Sequence, residues 1–176
     1  MTCLIRQADT EDLPFLPDIE RDAGRLFASI PNLAFVADDT VMSLRDHVAM
    51  LRDGVVFVAQ SLEGPTAGDV VGFICGKQVG KTFHIHEMSV APAGQGRGIG
   101  SALMAAMLDD AVSARCELAT LTTFQDVPWN DGFYRKLGFR TLETNEIDAR
   151  LGAILAAEAA AGLPADRRCA MAISLK

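Results

Sequence analysis

The sequence predicts an α/β or α+β sheet protein. Runs rich in Val, Ile, Phe and Thr alternate along the chain with stretches of helical periodicity. No internal repeat or linker divides the 176 residues, of which 49% are hydrophobic, so one domain spanning 1–176 with a sizeable core is expected. A long strand-like run, 82–90, passes through a glycine-rich loop straight into a helical stretch.

In chain order, residues 4–7 are a first candidate strand, after which Asp9 or Thr10 can cap a helical turn. Pro14 suits a helix start and Pro17 would break its interior, so the segment kinks or restarts with Pro17 at its first position. Ile19, Ala23, Leu26 and Phe27 then give a buried face, before a break at Ser29-Ile-Pro-Asn32. A second helix is expected to be capped by Asp38 or Asp39, lined by Val41, Leu44, Val48 and Leu51, and ended by Gly54. His47 falls between those positions and is expected on the surface. Residues 55–60 and 70–75 read as a hairpin connected through Gly64-Pro65 and Gly68. After strand 82–90, Ile99, Leu103, Ala106, Met107 and Ala111 mark the apolar face of a third helix. There follow a strand at 118–123, a helix at 127–137 closed by Gly138, and a strand at 139–142. Ile147, Leu151, Ile154, Leu155 and Ala159 suit a further helix, whose alanine-rich end needs no functional explanation. A strand at 170–175 closes the chain.

The loop carries the first chemical signal. Gly94, Gly96, Gly98 and Gly100 leave the backbone free to take positive φ and to approach a ligand closely. Ahead of a helix, such a loop aims N–H groups and the positive end of the helix dipole at one spot, which suits a phosphate. A Walker loop fails because Gly100 is followed by Ser101 and Ala102 rather than Lys and Ser or Thr. The dinucleotide pattern fails because its third glycine would fall on Ile99 or Ser101. What remains is Gln95-Gly-Arg-Gly-Ile-Gly100, a Q-x-x-G-x-G arrangement.

Composition narrows the partners. The sequence has no apolar run long enough for a membrane span and no basic-then-apolar leader at its N-terminus. Its four cysteines, Cys3, Cys75, Cys116 and Cys169, form no C-x-x-C pair, so neither a metal site nor a disulfide framework is expected and a reducing cytoplasm is the simplest setting. A net charge of −7 argues against nucleic acid and favours a cationic substrate.

Glu87-Met-Ser-Val-Ala-Pro92, the Gln95–Gly100 loop, and Asn130 with Phe133-Tyr-Arg-Lys-Leu-Gly-Phe139 together resemble the GNAT family of acyl-CoA-dependent N-acetyltransferases. The resemblance implies a mixed, mostly antiparallel central sheet flanked by helices. It also implies acetyl-CoA as cosubstrate, its pyrophosphate held by Gln95, Gly96, Arg97, Gly98, Ile99 and Gly100, with the Ser101 hydroxyl at the helix start. Asn130 resembles the family asparagine that contacts the coenzyme, and a backbone N–H near Met88, Ser89 or Val90 would polarise the thioester carbonyl. A homodimer is a family-level expectation. Substrate contacts are expected from about Leu26 to Asp39 and from Thr144 to Arg168, where no binding chemistry is legible.

Transfer to an amine needs a proton acceptor, since an alkyl ammonium has a pKa of about 10, and a donor for the departing thiolate. Glu87 matches the family position for the base and Tyr134 that for the acid. His84 and His86 share a face by the strand period, opposite Glu87 if the strand is regular; the bulge that the resemblance implies could bring one near the site. Cys75 and Cys116 lie in apolar contexts where inert burial is expected, so direct transfer in a ternary complex to a small-molecule or peptide amine is preferred over an acetyl-cysteine route. The rival reading is a non-catalytic acyl-CoA-binding sensor or regulatory module.

Overall fold

The computed structural model describes residues 2–38, 41–66 and 68–175. Its strands are Cys3–Gln7 (β1), Val55–Ser61 (β2), Val70–Val79 (β3), Thr82–Val90 (β4), Leu118–Phe124 (β5), Arg140–Thr141 (β6) and Arg168–Ser174 (β7). Its α-helices are Leu16–Gly24 (α1), Leu44–Asp53 (α2), Ile99–Ser113 (α3), Asp131–Lys136 (α4) and Ala149–Ala160 (α5). The strands form one sheet ordered β1-β2-β3-β4-β5-β7-β6, in which only β4 and β5 pair in parallel. The expected mixed, mostly antiparallel sheet with flanking helices is therefore present.

Both faces are covered, as the near-continuous apolar runs of β2 and β3 require. On one face Ile99, Leu103, Met104 and Met107 of α3 bury against Ile74, Phe83, Leu121 and Met171. On the other, Leu13, Leu16 and Ile19 pack on Val56, Val58, Phe73 and Cys75. Pro14 lies in a separate 3-10 turn, Leu13–Phe15, and α1 restarts with Pro17 in its first turn, because neither ring then displaces an intrahelical N–H bond. The preceding turn is organised by Asp12 rather than capped by Asp9 or Thr10. Its carboxylate accepts from the Asp9 N–H at 2.9 Å and from two nitrogens of Arg6 at 2.7 and 2.8 Å.

The second helix corrects the reading of its own sequence. Ser43 caps it in a reciprocal capping box with Asp46, while Asp38 closes an earlier 3-10 turn and Asp39 lies outside the described residues. Leu44 and Val48 are 47% and 49% exposed, whereas His47 is fully buried. Val41 precedes the helix, so a stripe that begins there follows no helical period. The inner stripe is instead His47, Met50 and Leu51, spaced i, i+3, i+4, with the His47 ring edge-on to Phe73 at 5.2 Å.

Two irregularities shape the middle of the sheet. Cys75 pairs with Glu87 but Gly76 pairs with Ile85, so His86 is an extra residue in β4, a β-bulge. Phe83, Ile85, Met88 and Val90 belong to the α3 side, and the bulge lets His84, Glu87 and Ser89 share the opposite side despite their odd spacing. The second irregularity is the brevity of the β4/β5 pairing, which covers only Thr82 to His84 against Leu118 to Thr120. Both strands continue past it unpaired with one another, and a cleft opens between them.

Candidate functional site

That cleft widens into a cavity of about 680 Å³. Residues 85–90 of β4 form one wall and residues 121–124 of β5 the other. The glycine loop and the start of α3 supply one end; α1 with Leu26, Phe27 and Val36 supplies the other. Among the expected site residues, Glu87, Met88, Ser89, Val90, Gln95, Gly96, Gly98, Ile99, Gly100, Ser101, Asn130 and Tyr134 all line it. Arg97 is absent from the wall, which leaves its backbone amide as its contribution to the loop.

The loop is built for backbone donors. A 3-10 turn, Pro92–Gly94, turns the chain off β4, and the Gln95 side-chain amide donates to the Val90 carbonyl at 2.9 Å, tying the loop back to its strand. Gly96 and Gly98 have φ of +70° and +80°, and no atom lies within 4 Å of where a Cβ would sit on either. Gly98 is the N-cap of α3 and provides no side-chain cap, so the first N–H groups of a long helix face the cleft free of a protein acceptor of that kind. A Cβ on Gly100 would stand 3.4 Å from the Phe133 ring and 3.8 Å from the Met88 side chain, which line the floor beneath the loop.

Glu87 accepts a hydrogen bond from the Ser89 hydroxyl at 2.8 Å. Burial raises its pKa, while Ser89, the Met88 N–H and the Arg168 charge pull it back down. Tyr134 stands on α4 with its ring edge-on to Phe133 at 5.2 Å and to Phe139 at 5.9 Å. Desolvation, and then the charge of Glu87, raise its phenol above the ordinary range, so it stays protonated at neutral pH. Asn130 adopts φ −105° and ψ −99° just before α4, and its carbonyl accepts from the Phe133 and Tyr134 N–H groups at 2.9 and 3.1 Å. It thereby sets where Tyr134 emerges. The helix is shorter than the expected 127–137, because fully buried Val127 anchors the preceding segment against Leu33 and Phe124.

The histidines divide. His84 is 3% exposed and its Nδ1 lies 3.0 Å from the Thr120 hydroxyl oxygen, which also accepts from Arg150 at 3.2 Å. Desolvation, and then the neighbouring His86 and Arg150, push its pKa down to about 3, so it is a neutral structural imidazole. His86, the bulged residue, lies on the cavity wall with its ring 4.8 Å from that of His84, and its pKa is lowered by desolvation and then by Arg150 and Lys77. Cys75 and Cys116 are buried thiols whose pKa values burial raises, as their apolar contexts imply. Among the described residues, no group of three or more His, Cys, Asp or Glu side chains could hold a metal ion.

Two features of the wall escaped the sequence reading. Glu20 of α1 enters the cavity with 15% of its side chain exposed, and desolvation followed by the Glu87 charge raises its pKa to about 8. Arg168, at the start of β7, is clamped by Glu158 of α5 through two bonds of 2.8 Å and stacks over Phe124 at 4.6 Å. Glu158 also accepts from Thr122 at 2.5 Å, which joins β5, α5 and β7 behind the cleft. Neither feature has a local motif. Each is assembled from segments distant in sequence, and only the region expected to contact substrate, extending to Arg168, pointed towards the second.

The sequence model of the acetyltransferase (GNAT) family matches residues 26–139. Among solved structures, the PaiA N-acetyltransferase of Thermoplasma acidophilum, in complex with coenzyme A, is similar with a TM-score of 0.72 at 16% identity, covering 99% of each chain. The ribosomal-protein-S18-alanine N-acetyltransferase of Escherichia coli is similar with a TM-score of 0.68 at 17% identity, covering 99% of this chain and 95% of that one. The N-acetylglutamate synthase of Neisseria gonorrhoeae, complexed with coenzyme A and N-acetyl-glutamate, matches with a TM-score of 0.70 at 16% identity over all of this chain and 36% of its own.

Proposed function

We propose, because this chain belongs to the acetyltransferase (GNAT) family, that it transfers the acetyl group of acetyl-CoA directly to a primary amine of a small molecule or peptide. The observation that carries the reading is the cleft between the splayed β4 and β5, with a phosphate-suited glycine loop at one end and both Glu87 and Tyr134 on its walls. Relatives of the same fold crystallised with coenzyme A support the cosubstrate. Acetyl-CoA supplies an activated acyl carbon and a thiolate leaving group.

In this reading the chain's residues divide the work. N–H groups from Gln95 to Ser101 bind the pyrophosphate at the α3 N-terminus, and Asn130 contacts the pantetheine arm. A backbone N–H near Met88 to Val90 polarises the thioester carbonyl. Glu87 accepts one proton from the acceptor ammonium, directly or through water, which frees the nitrogen lone pair. As the C–N bond forms and the C–S bond breaks, Tyr134 donates its proton to sulfur and recovers one from the new amide nitrogen. The proton on Glu87 leaves to solvent, so one proton is released per amide formed.

Thiol release from acetyl-CoA across a panel of primary amines and peptides, with the product identified by mass, tests the proposal. Turnover with an acetylated amine is expected. Tight coenzyme binding without turnover on any amine would instead identify a non-catalytic acyl-CoA-binding module.

A further inference from the structure

Glu20 and Glu87 reach the same cavity from different elements, α1 and β4. Both Glu20 oxygens accept from the Met42 N–H at 3.2 Å, the one neutral donor among the described residues for a nearly enclosed carboxylate. The adjacent Arg21, also on the cavity wall, pairs with Asp18. Behind Glu20 stands His47, fully buried, with neither ring nitrogen hydrogen-bonded and Nε2 4.0 Å from a Glu20 oxygen. Leaving a buried imidazole unpaired is unfavourable, and here it faces the Glu20 carboxylate.

We propose that Glu20 is the proton-sharing partner of Glu87, holding the pair at a single negative charge so that the acceptor is read as one primary alkylammonium group, with His47 positioning Glu20 from behind. The fate of the acceptor's proton rests on the acetyl-transfer reading; the shared proton does not. Two carboxylates in one desolvated site cannot both ionise readily, so the first proton leaves Glu87, which Ser89 and the Met88 N–H stabilise, and the second stays on Glu20. Once Glu20 also ionises, the doubled charge holds the acceptor as ammonium and transfer slows.

The other groups facing the pair do not change charge as it ionises. On α2, His47 is kept neutral by burial, against the weaker pull of Asp46. On β3, the Cys75 thiol is raised by burial and stays neutral. On α4, Tyr134 is raised by burial and Glu87, while Arg168 of β7 contributes a fixed positive charge and Arg21 of α1 a weaker one.

The test pairs two readouts on the full chain. In carboxyl ¹³C NMR of free protein labelled at glutamate, one glutamate should titrate near pH 8, and Glu87→Gln should lower that midpoint by at least about one pH unit. In kcat against pH with a primary alkylamine, Glu20→Gln should remove the fall above pH 8, since glutamine imitates the protonated acid and can still accept from Met42. A merely structural Glu20 would leave the alkaline limb in place. Titrations that are independent in the two variants overturn the shared proton even where amines are acetylated. Coupled titrations with no turnover of any primary amine overturn the acceptor role together with the acetyl-transfer reading.

Discussion

Tyr134 can serve as an acid because its surroundings forbid the phenolate: it packs between Phe133 and Phe139, and Glu87 adds a like charge. Tyr134→Phe removes the proton and keeps the packing. In steady-state kinetics kcat should fall by ~10²-fold or more, while the acetyl-CoA Kd by calorimetry stays within about twofold. An unchanged kcat would remove Tyr134 from the reaction. The meeting of Glu87 and Tyr134 on the walls of one cavity was legible in the sequence because each flanks a local motif with fixed spacing. Glu20 was not, since nothing near it in the chain distinguishes it from any other helical carboxylate; its role arises from desolvation and from Glu87. His47 was misread for the converse reason, a polar residue type standing where α2 turns inward.

Elements constrain the site through two glycines. Gly76 lies opposite the β4 bulge, and a Cβ there would stand 2.4 Å from the Phe83 ring and 2.6 Å from the His84 carbonyl oxygen. Neither neighbour can yield, one being buried and the other backbone. Gly76→Ala should therefore cost about 1–3 kcal/mol in denaturant unfolding. Gly98, at φ +80°, lies in open space, so alanine there meets strain without a clash, and Gly98→Ala should cost only about 1 kcal/mol of stability. Its larger effect should be on coenzyme binding, weakened ~10-fold or more, because the α3 N-terminus shifts; unchanged affinity would detach the loop from the pyrophosphate. Strand β4 was legible to the residue, 82–90, because Thr82, Phe83, Ile85 and Val90 carry a strand pattern with no glycine or proline before Pro92. Its bulge was not readable from periodicity, since the extra residue is defined only by the β3 partner. The short α4 was hidden because the burial of Val127 overrides a helical pattern.

For the whole molecule, the buried titratable groups set opposed slopes of stability with pH. His84 falls to about 3 in the folded chain against ~6.5 unfolded, and His47 and His86 are lowered too. Below ~6.5 the unfolded state binds more protons, so the stability these histidines carry is full above that pH and lost as it falls. Glu20 runs the other way: raised to about 8 against ~4.3 unfolded, its contribution is full below ~4.3 and is lost as pH rises through 8. Thermal stability should therefore peak where the two windows overlap, between ~4.3 and ~6.5, where the opposed slopes cancel. At about pH 8.5, Glu20→Gln should melt ~10 °C or more above the parent, because a rise from ~4.3 to about 8, at ~1.4 kcal/mol per unit, is a pH-dependent burden of about 5 kcal/mol. Below about pH 4, where Glu20 is protonated in both the folded and the unfolded chain, the two should melt together. His84→Gln should flatten the acid side alone. Parallel melting curves for Glu20→Gln and parent across this range would mean that the carboxylate ionises at no cost, and that the cleft is wetter than its walls imply.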